Sequence, residues 1–178
     1  MISAAQFKER WQHRDTDCLV AFPAQALEEV RVPDDAKAFL LEAGLPAEAA
    51  PFLNFSPPKK GPIPRVSETL WHLTPQFACY RVIGSNGSGD PVCIEESEGR
   101  IVYLDHENYF EPVLMGSSVF TLAECLLAFR AFITDAASSS SPMTQERIGV
   151  IIGCLQRIDP EACQEGGFWF AECRNIAA

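Results

Sequence analysis

Between Val119 and Ile133 the apolar residues Val119, Leu122, Leu126, Phe129 and Ile133 recur every three or four positions, with Thr121, Glu124, Ala128 and Ala131 on the other stripe. That spacing is the period of an α-helix and predicts one helix lying on a sheet. Upstream the pattern is different. Phe77 to Ile83, Val92 to Glu95 and Ile101 to Leu104 are short runs of β-branched, aromatic and other apolar residues. Gly84-Ser85-Asn86-Gly87-Ser88-Gly89-Asp90 and Ser97-Glu98-Gly99 separate them as turns. Links this short predict an antiparallel meander, because parallel neighbours need a crossover of about a dozen residues or more.

The flanks are read from their punctuation. Ala4 to Trp11 is expected as a short amphipathic helix, followed by a loop carrying Asp15, Thr16 and Asp17. A second helix starts where Pro33 can occupy the first turn and Asp34 and Asp35 complement the helix dipole. Its apolar face is Phe39-Leu40-Leu41, and Gly44-Leu45-Pro46 stops it. Pro51, Pro57, Pro58, Gly61, Pro62 and Pro64 exclude helix from the next stretch and leave room for a strand at Phe52 to Phe55. After the main helix, Ala136 to Ser141 reads as a hinge, and Ser141-Pro142 as the cap of a helix whose apolar face is Ile148, Ile151, Ile152 and Leu155. Asp159-Pro160-Glu161 repeats that cap ahead of a last helix bearing Phe168, Trp169, Phe170 and Cys173, with Gly166-Gly167 weakening its middle. The expected architecture is α+β: an antiparallel sheet packed by helices within residues 1–136, and a C-terminal helical hairpin, residues 137–178, docked on the same domain.

Composition narrows what such a domain can do. The chain of 178 residues is 47% hydrophobic, enough to build a core, and carries 14 Lys and Arg against 24 Asp and Glu, a formal net charge of −10. That balance disfavours direct nucleic-acid binding, which depends on basic side chains at the phosphates, and it steers basic proteins toward the surface. The first residues lack the apolar run of an export signal, and Val119 to Ile133, broken by Glu124 and Arg130, is shorter than the roughly 20 residues of a membrane span. A cytoplasmic location off the membrane is expected. The cysteines, Cys18, Cys79, Cys93, Cys125, Cys154, Cys163 and Cys173, include no Cys-x-x-Cys pair and read as reduced, buried thiols.

No catalytic constellation emerges. The histidines His13, His72 and His106 stand in no nucleophile setting, and Gly116-Ser117-Ser118 is no nucleophile elbow; Ser118 reads as the cap of the following helix. Asp105-His106-Glu107 lacks metal-ligand spacing, and the glycine-rich turn from Gly84 lacks the Lys-Ser/Thr ending of a phosphate loop. The expectation is no metal, no cofactor and no enzymatic activity. An enzyme assembled from distant residues, with His72, His106 and the acidic cluster as its candidates, would need a deep pocket with perturbed titratable groups. The acidic residues read instead as an interaction rim of Glu95, Glu96, Glu98, Asp105, Glu107 and Glu111, with Tyr109 and Phe110 as aromatic anchors.

Taken in order, Phe39-Leu40-Leu41-Glu42-Ala43-Gly44-Leu45-Pro46, Phe52-Leu53-Asn54-Phe55, Tyr80-Arg81-Val82-Ile83-Gly84, Val92-Cys93-Ile94-Glu95, Gly99-Arg100-Ile101-Val102-Tyr103-Leu104-Asp105 and Ser117-Ser118-Val119-Phe120 resemble the fourth group of the SUKH superfamily. Ile158-Asp159-Pro160 and Phe168-Trp169 extend the resemblance to the tail. It implies an α+β domain encoded beside a bacterial polymorphic toxin, many of which are nucleases or other basic effectors. The chain would protect the producing cell by binding its cognate toxin. No cofactor or catalytic residue comes with the resemblance, and no oligomeric state is implied. One departure is that Met115-Gly116-Ser117-Ser118 lacks the Asn usual before the serine that opens the closing helix. The alternative function from another class is an acidic cytosolic adaptor or secretion chaperone that holds an extended client segment.

Overall fold

The structure is a computed structural model that describes residues 1–12, 17–70, 75–138 and 143–176. His13, Asp15, Thr16, Trp71, His72 and the Ser139 to Pro142 part of the expected hinge and cap lie outside the described residues.

In chain order the elements are α1 (Ala4–Trp11), β1 (Leu19–Val20), α2 (Ala24–Leu27), α3 (Asp34–Glu42), β2 (Leu45–Pro46), β3 (Glu48–Ala49), β4 (Leu53–Phe55), α4 (Val66–Thr69), a 3-10 turn at Pro75–Cys79, β5 (Tyr80–Ser85), β6 (Pro91–Glu95), β7 (Ile101–Asp105), a second 3-10 turn at His106–Asn108, β8 (Glu111–Gly116), α5 (Val119–Ser138), α6 (Gln145–Ile158) and α7 (Phe168–Asn175). Strands β3 to β8 form one antiparallel sheet in sequential order, and β1 and β2 pair separately. The fold is α+β, and the meander is there, enlarged at both ends beyond its three expected strands.

The enlargements have local reasons. β8 hides in the sequence because Glu111-Pro112 reads as loop. Pro112 is tolerated there since β8 is an edge strand, where a missing N–H breaks no interior ladder. The expected strand from Phe77 instead begins at Tyr80, because Pro75–Cys79 coils into a 3-10 turn that buries Phe77. At Gly44 the backbone is left-handed, φ +69°, and a Cβ would stand 2.0 Å from the Val20 carbonyl oxygen. Glycine there both ends α3 and lets β1 approach β2.

One face of the sheet supplies Leu53, Phe55, Ile83, Val92, Ile94, Ile101 and Met115 to the main core, covered by Val119, Leu122, Leu126 and Phe129 of α5. The N-terminal helices complete this layer through rings in series: Phe7 to Phe39 at 5.6 Å, then Phe39 edge-on to Phe120 at 5.2 Å. Ser3 and Gln6 form a capping box at the start of α1. The opposite face carries a smaller cluster of Val66, Phe77, Cys93, Val102 and Leu104, with Tyr80, Val82, Phe110 and Leu114 packed on it. Among the described residues no cysteine is in a disulfide; Cys93, Cys125, Cys163 and Cys173 are buried as expected, but Cys79 and Cys154 are only half-buried and Cys18 is exposed.

The C-terminal elements depart from the sequence reading in detail. Helix α5 runs on to Ser138, absorbing Ala136 to Ser138 of the expected hinge, and α6 opens on Thr144, whose hydroxyl accepts from the Arg147 N–H. Gly167 is the N-cap of α7, not its weakened middle. Asp159 caps no helix start either: it closes α6, and its carboxylate reaches across to the β8–α5 junction. Oδ2 accepts from the Ser117 N–H at 2.6 Å, and Oδ1 accepts from the Ser117 hydroxyl at 2.8 Å and the Ala162 N–H at 3.1 Å. Close by, the Trp169 indole N–H donates to the Met115 carbonyl at 2.7 Å. The C-terminal pair is thereby tied to the strand end that launches α5, and Ile148, Ile151, Leu155 and Trp169 join the main core.

Gly116 sits under this junction. A Cβ there would come to 3.0 Å from Leu122 Cβ and from the Ser118 carbonyl oxygen, so a side chain at that position would crowd the first turn of α5. The turn is capped as the sequence suggests, with the Ser118 hydroxyl accepting from the Thr121 N–H at 3.2 Å and Thr121 Oγ1 accepting from the Ser118 N–H at 3.1 Å.

Burial alone would raise the Asp159 carboxyl, but the hydrogen bonds from Ser117, Thr121 and Ala162 outweigh it and hold it below the usual range. A lowered folded-state pKa means stabilisation that is present above the unfolded value, near 3.9, and disappears as the pH falls through the folded one. Asp159→Asn is expected to cost about 2 kcal/mol at pH 7. In urea melts the gap from wild type should be full at pH 7 and close below about pH 4.

Candidate functional site

The register of β6 with β7 decides how the expected acidic rim is laid out. Ile94 pairs with Ile101 and Val92 with Tyr103, so Glu95, Glu96 and Glu98 sit at the hairpin end of this ribbon and Asp105 at the other. Four residue steps along β7, at about 3.3 Å each, separate the ends by about 13 Å. The rim is two surfaces, not one.

At the hairpin end the acids are largely spoken for. Glu96 is 3% exposed and is corrected here from a rim residue to a buried hub. Its Oε1 accepts from the Arg31 N–H and from Arg81 Nε, each at 3.1 Å, and its Oε2 lies 3.0 Å from Arg65 Nη1 and 3.5 Å from Arg31 Nη2. Arg81, itself buried, also donates to the carbonyls of Ile63 at 2.8 Å and Glu29 at 3.1 Å. This cluster ties the α2–α3 loop and the proline-rich connector to β5. Burial works to raise the Glu96 carboxyl, yet the Arg31 N–H and the Arg81 and Arg65 charges prevail and lower it. Glu98 is exposed but paired with Arg100 at 2.8 Å, and Arg100 reaches Glu161 at 3.0 Å. Glu95 is half-buried beside Tyr80, whose phenol is pushed up to about 12 by burial and then by the Glu95 charge.

At the other end, the segment from Asp105 to Glu111 stays open to solvent. Asp105 accepts from the Glu107 N–H at 3.0 Å, and Phe110 N–H returns to the Asp105 carbonyl at 2.7 Å, closing a tight loop. Tyr109 and Phe110 both adopt left-handed backbone, φ 55° and 62°, which bulky residues rarely do. The loop turns Tyr109 outward at 92% exposure and folds Phe110 back, edge-on to Phe77 at 6.4 Å. Of the two expected anchors only Tyr109 is presented; Phe110 holds the loop to the smaller cluster. Glu107 and Glu111 flank Tyr109 on the surface.

Next to this loop, ligand atoms of Asp90, Asp105 and His106 come within 4.8 Å of one another. Asp90 Oδ2 already accepts from Asn86 Nδ2 at 2.8 Å, while Oδ1 takes the His106 N–H at 3.1 Å and faces the His106 ring. The hydrogen bond to Asp90 raises the His106 pKa. The arrangement clips the β5–β6 turn to the end of β7.

A feature unseen in the sequence opens at the same end of the sheet. A groove of about 770 Å³ runs between the β3–β4 loop and the facing sides of α5 and α7, lined by Ala49, Ala50, Leu53, Phe129, Ile133 and Ile176. Phe52 stands at its lip, 85% exposed and left-handed at φ 57°. Among the described residues, the carboxylates lining it are Glu48 and Glu172, and no Lys, Arg or His joins them. Glu48 and Glu172 are more than 120 positions apart in the chain, so no local pattern announces the groove.

Set against known proteins, the sequence matches the family described as SUKH-4 immunity protein over residues 2–173. The chain belongs to this family. Curated proteins and solved structures yield no match. The SUKH-4 match runs through α6 and into α7, so the C-terminal helices belong to the matched region along with the sheet. Among the described residues no helix is long and apolar enough to cross a membrane.

Glu96→Gln removes the charge that faces the buried Arg81 and is expected to destabilise by about 3 kcal/mol or more. Glu98→Gln, which loosens one exposed pair, should change stability by less than about 0.5 kcal/mol. Chemical denaturation at pH 7 compares the two directly, and equal effects would contradict the buried-hub assignment.

Proposed function

We propose that this SUKH-4 protein neutralises a cognate toxin by covering it, without turning over a substrate, and that the toxin is a basic effector such as a nuclease. The observation that carries the reading is the Asp105–Glu111 loop, which holds Tyr109 at 92% exposure between Glu107 and Glu111. Tyr has few rotatable bonds to order for the contact area that it offers, and acidic neighbours attract a basic partner and orient its approach. Left-handed backbone at two consecutive aromatic residues costs on the order of 1 kcal/mol or more each, a strain that a loop without a function would shed. The net charge of −10 points the same way at long range.

Covering requires only a stable complementary face. The protein would act in the cytoplasm, where the producing cell is exposed to its own toxin. Glu95 and Glu98 lie outside the proposed contact, and Glu96 serves the fold at the other end of the β6–β7 ribbon.

Co-expression with the toxin encoded beside this gene should restore growth, and the two proteins should co-purify. Charge reversal of the loop, Glu107→Lys with Glu111→Lys, should slow association at low salt by about tenfold or more, the difference shrinking as salt is added. Tyr109→Ala should act mainly by speeding dissociation. Absence of protection, or of any complex, would rule out the immunity reading for this chain.

A further inference from the structure

Glu172 lies in the apolar groove with no hydrogen bond or ion pair to any described residue, against Phe129 and Ile133 of α5 and Ile176 beyond the end of α7. Burial holds its carboxyl above the usual range, and nothing offsets that cost within the fold. The fold therefore gains nothing from a carboxylate there. A second acid, Glu48, lines the opposite wall, and Phe52 projects from the lip as an exposed ring on strained backbone. An apolar trough with two acids and, among the described residues, no base matches the chemistry of a long cationic side chain, whose methylene stem packs on hydrocarbon while its head pairs with carboxylate.

We propose that this groove is the socket for one Arg or Lys side chain of the toxin, presented on a segment with an apolar neighbour that packs on Phe52, and that Glu172 is the residue that receives its charge. This rests on the reading that the chain covers a basic toxin, and it adds a specific anchor point to the Tyr109 loop. The two lie at the same end of the sheet. Phe52 precedes β4, whose Asn54 pairs with Ser85 just before the β5–β6 turn, and that turn is clipped by Asp90 to His106. A single partner can span both. A second copy of this chain is a poor occupant, since it would bring Glu48 and Glu172 of two molecules, each at −10, against one another.

The test measures binding of the purified toxin domain encoded beside the gene to wild type, Glu172→Gln, Glu172→Lys, Phe52→Ala and, as control, Glu98→Gln at the far end of the sheet. Glu172→Gln should raise Kd by about tenfold or more and Glu172→Lys should bring binding close to undetectable, with Glu98→Gln unchanged. Thermal melts at pH 7 separate this from misfolding: a half-buried carboxyl with a raised pKa is destabilising when ionised, so Glu172→Gln should melt at or above the wild-type temperature. Phe52→Ala, at an exposed site, should keep its melting temperature and still lose affinity. If wild type binds the toxin and these variants bind it equally well, the socket is refuted while the immunity reading stands. If wild type does not bind, both fall. Concentration-dependent dimerisation of wild type that Glu172→Gln strengthens would assign the groove to a second copy and also overturn the proposal.

Discussion

The Asp159 carboxylate is the joint on which the described structure turns. From the end of α6 it accepts from both the backbone and the hydroxyl of Ser117, at 2.6 and 2.8 Å, where the last strand of the sheet passes into α5. A buried carboxylate is costly unless its acceptor sites are filled, so the arrangement is nearly all-or-none. Helix α7 is held beside it, because Trp169 donates to Met115 on the same strand and packs at a tilt against Phe129, ring centroids 5.6 Å apart. The placement of α7 then builds one wall of the groove and brings Glu172 into it. A polar contact in the core thus sets the shape of the surface.

Glu96 has the corresponding role elsewhere along the same hairpin end of the sheet, gathering Arg31, Arg65 and Arg81 from segments that are otherwise loop and connector. Such a cluster adds less net stability than hydrophobic packing of equal volume, but it specifies one arrangement of chains that the apolar pattern leaves loose. Of the two carboxylates, Asp159 fixes the C-terminal helices and Glu96 fixes the proline-rich stretch.

Periodic elements were legible in the sequence and aperiodic ones were not. The three-to-four spacing of Val119 to Ile133 and the turn-separated runs around Val82, Cys93 and Val102 identify the helix and the meander, because burial on one face imposes a period. β8 escaped since Pro112 belongs to an edge strand and Tyr109-Phe110 turn into it through left-handed backbone that no residue type there advertises. The acidic residues were visible as charges but not as neighbours. A glutamate buried among arginines, Glu96, and one paired at the surface, Glu98, look the same in one dimension. Only strand register separates Glu95 from Glu111, and only tertiary folding brings Glu48 opposite Glu172.

The proposed site is one end of a sheet, with an exposed aromatic loop at its β7–β8 edge and an acidic apolar trough at its β3–β4 edge. Immunity by covering makes a demand that enzymatic detoxification does not: one molecule of protector for each molecule of toxin held. Titrating the purified toxin's activity with this protein at concentrations well above Kd is therefore decisive. The account predicts a linear fall in activity that ends at a fixed molar equivalence and is independent of incubation time. Inactivation by a small fraction of an equivalent, progressing with time, would mean turnover and would contradict it.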